Sequence, residues 1–262
     1  MSIHELIDHV KRAGAVALDH QRTVRFSDRA YKSDQSVVTE ADHQVEDLLY
    51  RRIADHDPDA NILTEESQHP FHPQRPRTYA VDPIDGTDVF SQGMPGWCIS
   101  VGLLDCHLVP TAGIIYAPRL DLLLVADGEG STTLNGSALS PPKPPEPVSV
   151  RSNLMVTSRI HKTLDLRGYI GKIRGIGSAA LHLCFPLIYP AVIGALEGPG
   201  AHIWDIAAAH AITRAQGRDL VYLNGESIDY TNMVHGETAR DVIMAGAQPI
   251  LDTLRGNLRR LD

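Results

Sequence analysis

The chain has 262 residues, room for one large domain or two modest ones at roughly 100–200 residues each. Hydrophobic residues make up 43%, which excludes a disordered protein. Lys+Arg 24 against Asp+Glu 32 gives a formal charge of −8, and no Lys/Arg cluster interrupts that acidity, which argues against nucleic acid as a partner.

Cys98, Cys106 and Cys184 form no C-x-x-C pair, so neither a disulfide framework nor a zinc ribbon fits, and a reducing compartment is expected. Glu5, Asp8, Lys11, Arg12 and Asp19 break up the amino-terminal segment, whose longest apolar run is 13–18. That is too short for a signal peptide, and nothing approaches the ~18–20 apolar residues that cross a bilayer. The expectation is a cytoplasmic protein without a membrane partner.

In chain order, Ile3, Leu6, Ile7, Val10, Ala13 and Ala17 recur at helical spacing, with Ser2 placed to cap. A second helix is predicted from about Thr39, with Ala41, Val45, Leu48, Leu49 and Ile53 on one face. It stops before Asp57-Pro58, because proline disfavours helical geometry in the residue before it. Strand-like runs follow at 61–64, 78–81, 97–104, 109–116 and 120–126, and Asn135-Gly136 is a hairpin signal. Strands in close succession predict an antiparallel meander. The proline-rich stretch 140–147 reads as a stiff connector. Beyond it come a strand at 169–176, a helix at 178–187, a strand at 191–196, a helix at 205–216 ended by Gly217, a strand at 220–223 and a helix at 250–261. The expected organisation is helices plus an antiparallel sheet over 1–139 (α+β), then a smaller α/β lobe over 148–262, with a cleft between them.

The chemistry concentrates in Asp82-Pro83-Ile84-Asp85-Gly86-Thr87, which follows the apolar run Tyr79-Ala80-Val81. Two carboxylates three residues apart, with a proline fixing φ between them, can point into one small volume. Held together they repel unless a cation neutralises them, and all-oxygen ligands suit a hard ion such as Mg²⁺. Gly86-Thr87 can offer backbone N–H groups to an anion. The competing reading is an Asp-rich turn. Glu65-Glu66 end another apolar run, and neighbouring strands would bring both acidic ends to one edge. Asp205 follows Trp204 at a helix start, where a carboxylate is also a favourable dipole partner. Thr39-Glu40-Ala41-Asp42 fits a capping box, yet Asp42 could equally accept a proton from a hydroxyl that positions water. His202, near Asp205, reads as packing or capping.

Taken together, Lys32-x-Asp34, Val38-Thr39-Glu40-Ala41-Asp42, Glu65-Glu66-Ser67, Asp82-Pro83-Ile84-Asp85-Gly86-Thr87, Gly177-Ser178-Ala179-Ala180-Leu181 and Trp204-Asp205 resemble the inositol monophosphatase superfamily of metal-dependent phosphomonoesterases. The resemblance runs from about residue 30 to 210 and implies an αβαβα layered sandwich, commonly dimeric. It implies that Glu65, Asp82 and the Ile84 carbonyl hold one Mg²⁺, and that Asp82, Asp85 and Asp205 hold a second. Glu66 would sit beside a looser third position, with Lys32 near the metals. Thr87 with Asp42 would orient or deprotonate the attacking water. Ile84, Asp85, Gly86, Thr87 and Asp205 would meet the phosphate, and Gly177, Ser178, Ala179 and Glu197 would line the substrate side.

Three departures bear on the leaving group. Asp88 follows Gly86-Thr87, position 198 is Gly with Glu197 eight residues before Asp205, and Arg214-Ala215-Gln216-Gly217 replaces Glu-Ala-Gly-Gly. The implied activity is hydrolysis of inositol monophosphate or a related polyol or sugar phosphate, by a lithium-sensitive class of enzyme. Fructose 1,6-bisphosphate, histidinol phosphate and 3′-phosphoadenosine 5′-phosphate are alternatives within the superfamily. A catalytically silent metal- or phosphate-binding regulator is the alternative outside it.

Overall fold

The computed structural model describes residues 3–23, 30–31, 37–67, 69–140, 143 and 146–261, with backbone alone at 30–31 and 37–38. Ser2, Lys32, Asp34 and half of the connector 140–147 lie outside the described residues.

The long periodic helix is α1 (Ile3–Thr23), and the short antiparallel pair β1 (Ala30–Tyr31) and β2 (Val37–Val38) precedes α2 (Glu40–His56). Next come β3 (Asn61–Thr64), β4 (Arg77–Asp85), the one-turn α3 (Thr87–Ser91), β5 (Cys98–Asp105), β6 (Pro110–Ala117), β7 (Leu122–Ala126), β8 (Thr132–Leu134) and β9 (Ser137–Ala138). Strands β3 to β9 form one seven-stranded sheet in sequence order. It is the expected meander with one correction: β3 runs parallel to β4, so the first connection crosses over instead of turning back.

The second half supplies β10 (Asn153–Val156), β11 (Leu164–Asp165), β12 (Lys172–Arg174), α4 (Ala179–Ile188), β13 (Val192–Glu197), α5 (Ile203–Ala215), β14 (Leu220–Tyr222), β15 (Ile243–Gly246), α6 (Gln248–Asn257) and β16 (Arg259–Arg260). A five-stranded sheet has the order β12-β10-β13-β15-β14, with β10 parallel to both neighbours. Two expectations shorten. The strand expected over 169–176 is only β12, because Tyr169 folds back to donate its hydroxyl to the Ser152 carbonyl. The last helix ends at Asn257, and the chain then extends into β16 to pair with β11.

Side-chain alternation along the strands builds the layers. On β7, Leu123 and Val125 face α1 and α2, whereas Leu122, Leu124 and Ala126 face the opposite side, where α4 and α5 pack. On β15, Ile243 and Ala245 join that same inner core, while Met244 turns outward to Leu154 and the α6 residues Ile250, Leu251 and Leu254. The order is therefore helix, sheet, helix, sheet, helix, the αβαβα sandwich. Among the described residues no helix is long and apolar enough to cross a membrane, and the three cysteines are free thiols.

Two junctions fix the elements that carry the acids. Asp57, just past the end of α2, accepts two 2.7 Å hydrogen bonds from Arg77 and one from the Tyr79 hydroxyl, which pins α2 to the start of β4. Gly102 on β5 lies opposite Gly113 on β6. A Cβ at either position would stand 2.7 Å from Ala208 backbone atoms, so only the paired glycines and the Ala207-Ala208-Ala209 run let α5 lie flat on the sheet. That contact sets where the first turn of α5, and Asp205, must be.

Candidate active site

Because β3 and β4 are parallel with Thr64 opposite Val81, β3 ends just as β4 reaches Asp82, and Glu65-Glu66 emerge beside it. A regular strand would then put Asp82 and Asp85 on opposite faces. A bulge prevents this: Asp82 pairs with Ser100 and Asp85 with Cys98, three steps on β4 against two on β5. Ser100 and Cys98 lie on one face, so both aspartates are brought to the α4/α5 side, while Ile84 is buried in the opposite core. Gly86, at φ 97°, reverses the chain into α3 and places Thr87 in its first turn.

Asp42 resolves the conflict between capping and chemistry by dividing its oxygens. Oδ2 accepts hydrogen bonds from the Thr39 amide (2.8 Å) and hydroxyl (2.6 Å), holding the start of α2. Oδ1 faces the Thr87 hydroxyl at 3.0 Å. That hydroxyl also lies 2.9 Å from the Ile84 carbonyl. Burial is the largest influence on Asp42 and lifts its pKa to about 6, against the pull of the Thr39 hydrogen bonds.

Asp85 is gripped by the amino terminus of α4. Oδ2 accepts hydrogen bonds from the Ser178 hydroxyl (2.6 Å) and the Ala180 amide (2.7 Å), and Oδ1 from the Ala179 amide (3.0 Å). Burial raises its pKa to about 6, with these donors opposing. The hydroxyl and amide of the 177–179 stretch expected along the substrate side are thus directed at Asp85; Oδ1 keeps a lone pair.

Asp82 is buried, and its Oδ1 meets no donor among the described residues. Its pKa stands well above the ordinary carboxylate range, first through desolvation, then through the charges of Glu65, Asp85, Asp205 and Asp42. Asp205, half-buried, takes the His202 amide on Oδ2 at 2.6 Å and is raised by burial and then by Asp85 and Glu65. His202 is therefore the helix cap, and its ring stacks on Trp204 with centroids 4.7 Å apart and 10° between planes. Glu197 sits at the end of β13 with Oε2 3.1 Å from His182 Nε2. Its charge contributes to the rise at Asp205. Lys32 lies outside the described residues.

Five acids from three elements and one loop thus share an electrostatic environment, although no three described Asp, Glu, His or Cys side chains converge as a finished coordination shell. The donor set still fits a hard cation. It is all oxygen, a buried carboxylate oxygen has no hydrogen bond among the described residues, and mutual repulsion leaves negative charge to be neutralised.

Two buried polar residues escaped sequence reasoning. Glu46, one turn after Asp42 on α2, accepts the Glu66 amide at 2.7 Å and so fixes the Glu65-Glu66 turn. Gln21, on the last turn of α1, donates to the carbonyls of Phe90 and Met94 and ties down the end of α3. The i, i+4 relation of Glu46 to Asp42 was the available signal; Gln21 offered none.

The model of the "Inositol monophosphatase family" matches residues 3–254. "Inositol monophosphatase 1" of Solanum lycopersicum is 29% identical over 238 residues, 86% of each chain. "3'(2'),5'-bisphosphate nucleotidase CysQ" of Escherichia coli K12 is 29% identical over 228 residues, 84% of this chain and 90% of that one. The solved structure of an "IMPase/NADP phosphatase complexed with Mg2+ and phosphate" superposes with a TM-score of 0.80 at 19% identity, covering 97% of this chain and 95% of that one.

Proposed function

The chain belongs to the inositol monophosphatase family and is a phosphoric monoester hydrolase, and from that premise we propose that it releases phosphate from a small polyol or sugar phosphate, inositol monophosphate first, by direct attack of water with Mg²⁺ bound. The observation that carries the proposal is the Thr87 hydroxyl 3.0 Å from the buried Asp42 carboxylate, next to the crowded acids.

In this reading Glu65, Asp82 and the Ile84 carbonyl would hold one ion and Asp82, Asp85 and Asp205 a second, with Glu66 beside a third. Segment 1–139 would supply most of the ligands and segment 148–262 would supply Asp205. Bound Mg²⁺ neutralises the acids, polarises phosphoryl oxygens and makes water acidic enough to react near neutral pH. Before reaction the Thr87 hydroxyl donates a hydrogen bond to Asp42 Oδ1, which turns an oxygen lone pair outward to accept from the attacking water. The water oxygen bonds to phosphorus, its proton passes to Thr87 and that of Thr87 to Asp42, and the P–O bond to the alcohol breaks. Solvent protonates the departing alkoxide. Gly86 and Thr87 amides would take phosphate oxygens.

A polyol or sugar is favoured by an aromatic content of 5%, a poor supply of base-stacking surface. A second reading, a nucleoside 3′,5′-bisphosphate, is supported by the nucleotidase relatives and by the parallel His202–Trp204 rings beside Asp205. Phosphate release should be measured on inositol monophosphate, fructose 1,6-bisphosphate, histidinol phosphate and 3′-phosphoadenosine 5′-phosphate, with Mg²⁺ and with EDTA. Turnover of the first that requires Mg²⁺ and collapses in Asp82→Asn supports the proposal. Equal turnover in EDTA refutes it. A homodimer and a cytoplasmic location remain part of the proposal; sedimentation of the purified protein tests the former.

A further inference from the structure

A cavity of about 610 Å³ lies away from the acids, between the end of the seven-stranded sheet and the start of β13. Its place is defined by two elements that also reach the active site. The first turn of α4 grips Asp85, and the last turn, through Pro186 and Ile188, lines the cavity. Strand β13 ends at Glu197 near the acids and begins at the cavity with Val192 and Ile193. Ten helical residues span about 15 Å, so the two sites are separate.

Part of the wall is made of apolar side chains left half-buried, Leu139, Ile188, Val192 and Ile193, with Ser140, Ser149 and Ser152 also on the lining. Among them stands Arg218, also half-buried, with Nη1 donating 3.2 Å to the Pro186 carbonyl. Other partly buried arginines of this chain are matched to acids: Arg77 to Asp57 through two hydrogen bonds, Arg255 to Asp252. Arg218 has no carboxylate at ion-pair distance among the described residues, and burial lowers its pKa with no acid to oppose the shift. One carbonyl uses one of five N–H donors, so capping α4 leaves the planar fork largely available. Around it, Arg151 adds positive charge at the rim, where Lys143 and Glu146 contribute one charge of each sign.

We propose that this cavity is a second ligand site, for a small organic anion whose carboxylate or phosphate meets Arg218 while its hydrocarbon or aromatic body fills the apolar walls. The volume falls in the range of small-molecule pockets, and a guanidinium with free donors recognises a planar or tetrahedral anion in a forked geometry. An inorganic anion would leave the walls uncovered, and a neutral amphiphile would leave the charge unmatched, so both halves of the ligand are required.

The test is isothermal titration of the full chain, without divalent metal, with octanoate, octyl phosphate, octanol and inorganic phosphate. Octanoate and octyl phosphate should bind at least tenfold more tightly than the other two; the stronger of the pair identifies the headgroup. Arg218→Gln should weaken both by tenfold or more, with Arg218→Lys recovering part of the loss, while phosphate release with Mg²⁺ stays at the wild-type rate and reports an intact fold. Val192→Asp, a separate disturbance of the wall, should likewise abolish anion binding. Methyl resonances of Ile188, Val192 and Ile193 should shift on saturation. The proposal is overturned if octanol matches octanoate, if a folded Arg218→Gln or Val192→Asp protein binds as the wild type does, if no anion binds at millimolar concentration, or if the shifts appear at Ile84 instead.

Discussion

Stripping divalent metal should make the protein lose stability as pH rises, and Asp42 shows by how much. Its carboxyl titrates near 3.8 in an unfolded chain and at about 6 in the folded one, because burial disfavours the charged form. A folded-state pKa raised in this way contributes stability that is whole below about pH 4 and is lost as pH climbs through about 6. The gap of about 2 units corresponds to roughly 3 kcal/mol at 1.36 kcal/mol per unit, most of it between pH 4 and 7. With an unfolding entropy of roughly 2.1 cal/mol/K per residue, a chain of this length should lose about 5 °C in Tm. The isolating comparison is Asp42→Asn. Its amide can keep the Thr39 donors on its oxygen and offer N–H to Thr87, which then donates to Ile84. Scanning calorimetry in EDTA should give a Tm difference, wild type minus variant, that falls by about 5 °C from pH 4 to pH 7. Mg²⁺ at pH 7 should restore it. A difference independent of pH, or a wild type that gains stability toward neutrality relative to the variant, would refute the reasoning.

Thr87→Val should lower kcat by about 10²–10⁴-fold with KM within a few-fold of wild type, measured by steady-state phosphate release, since it removes only the proton path to Asp42. Gly102→Ala inserts a Cβ 2.6 Å from that of Ala207, and should cost about 1–3 kcal/mol by denaturant titration. The same variant should raise the Mg²⁺ concentration for half-maximal activity, because α5 carries Asp205. Gln21→Ala removes two donors from the end of α3 and should destabilise by about 1–3 kcal/mol, with kcat falling more than KM rises.

Much of this could be read in the sequence, and the limits have physical causes. Helices α1 and α2 announce themselves because one face is apolar over several turns, and the meander because short apolar runs follow closely with turn-formers between them. Strands β10 and β15 went unread: Asn153–Val156 and Ile243–Gly246 are four-residue runs whose place is set by pairing with β13, which they flank in the sheet. The parallel course of β3 is a matter of connection rather than composition. Asp82 and Asp85 were legible as a motif, but their shared face depends on a bulge, which is a property of pairing with β5 and not of β4 alone. Glu46 and Gln21 look like ordinary polar residues on amphipathic helices until tertiary contact buries them. The glycine pair on β5 and β6 has meaning only once α5 lies across it.

That crossing has a consequence for how the enzyme tolerates its own chemistry. Asp205 stands among acids that repel it, and its one backbone hydrogen bond, from the His202 amide, lies within its own helix turn and does not tie that helix to the sheet. The alanine face of α5 sits in a groove whose floor has no side chains, so the helix has no room to tilt or slide. Repulsion is opposed by hard-core exclusion, a force that does not weaken with salt or pH, and the acid keeps its post whether or not a counter-ion is there to reward it.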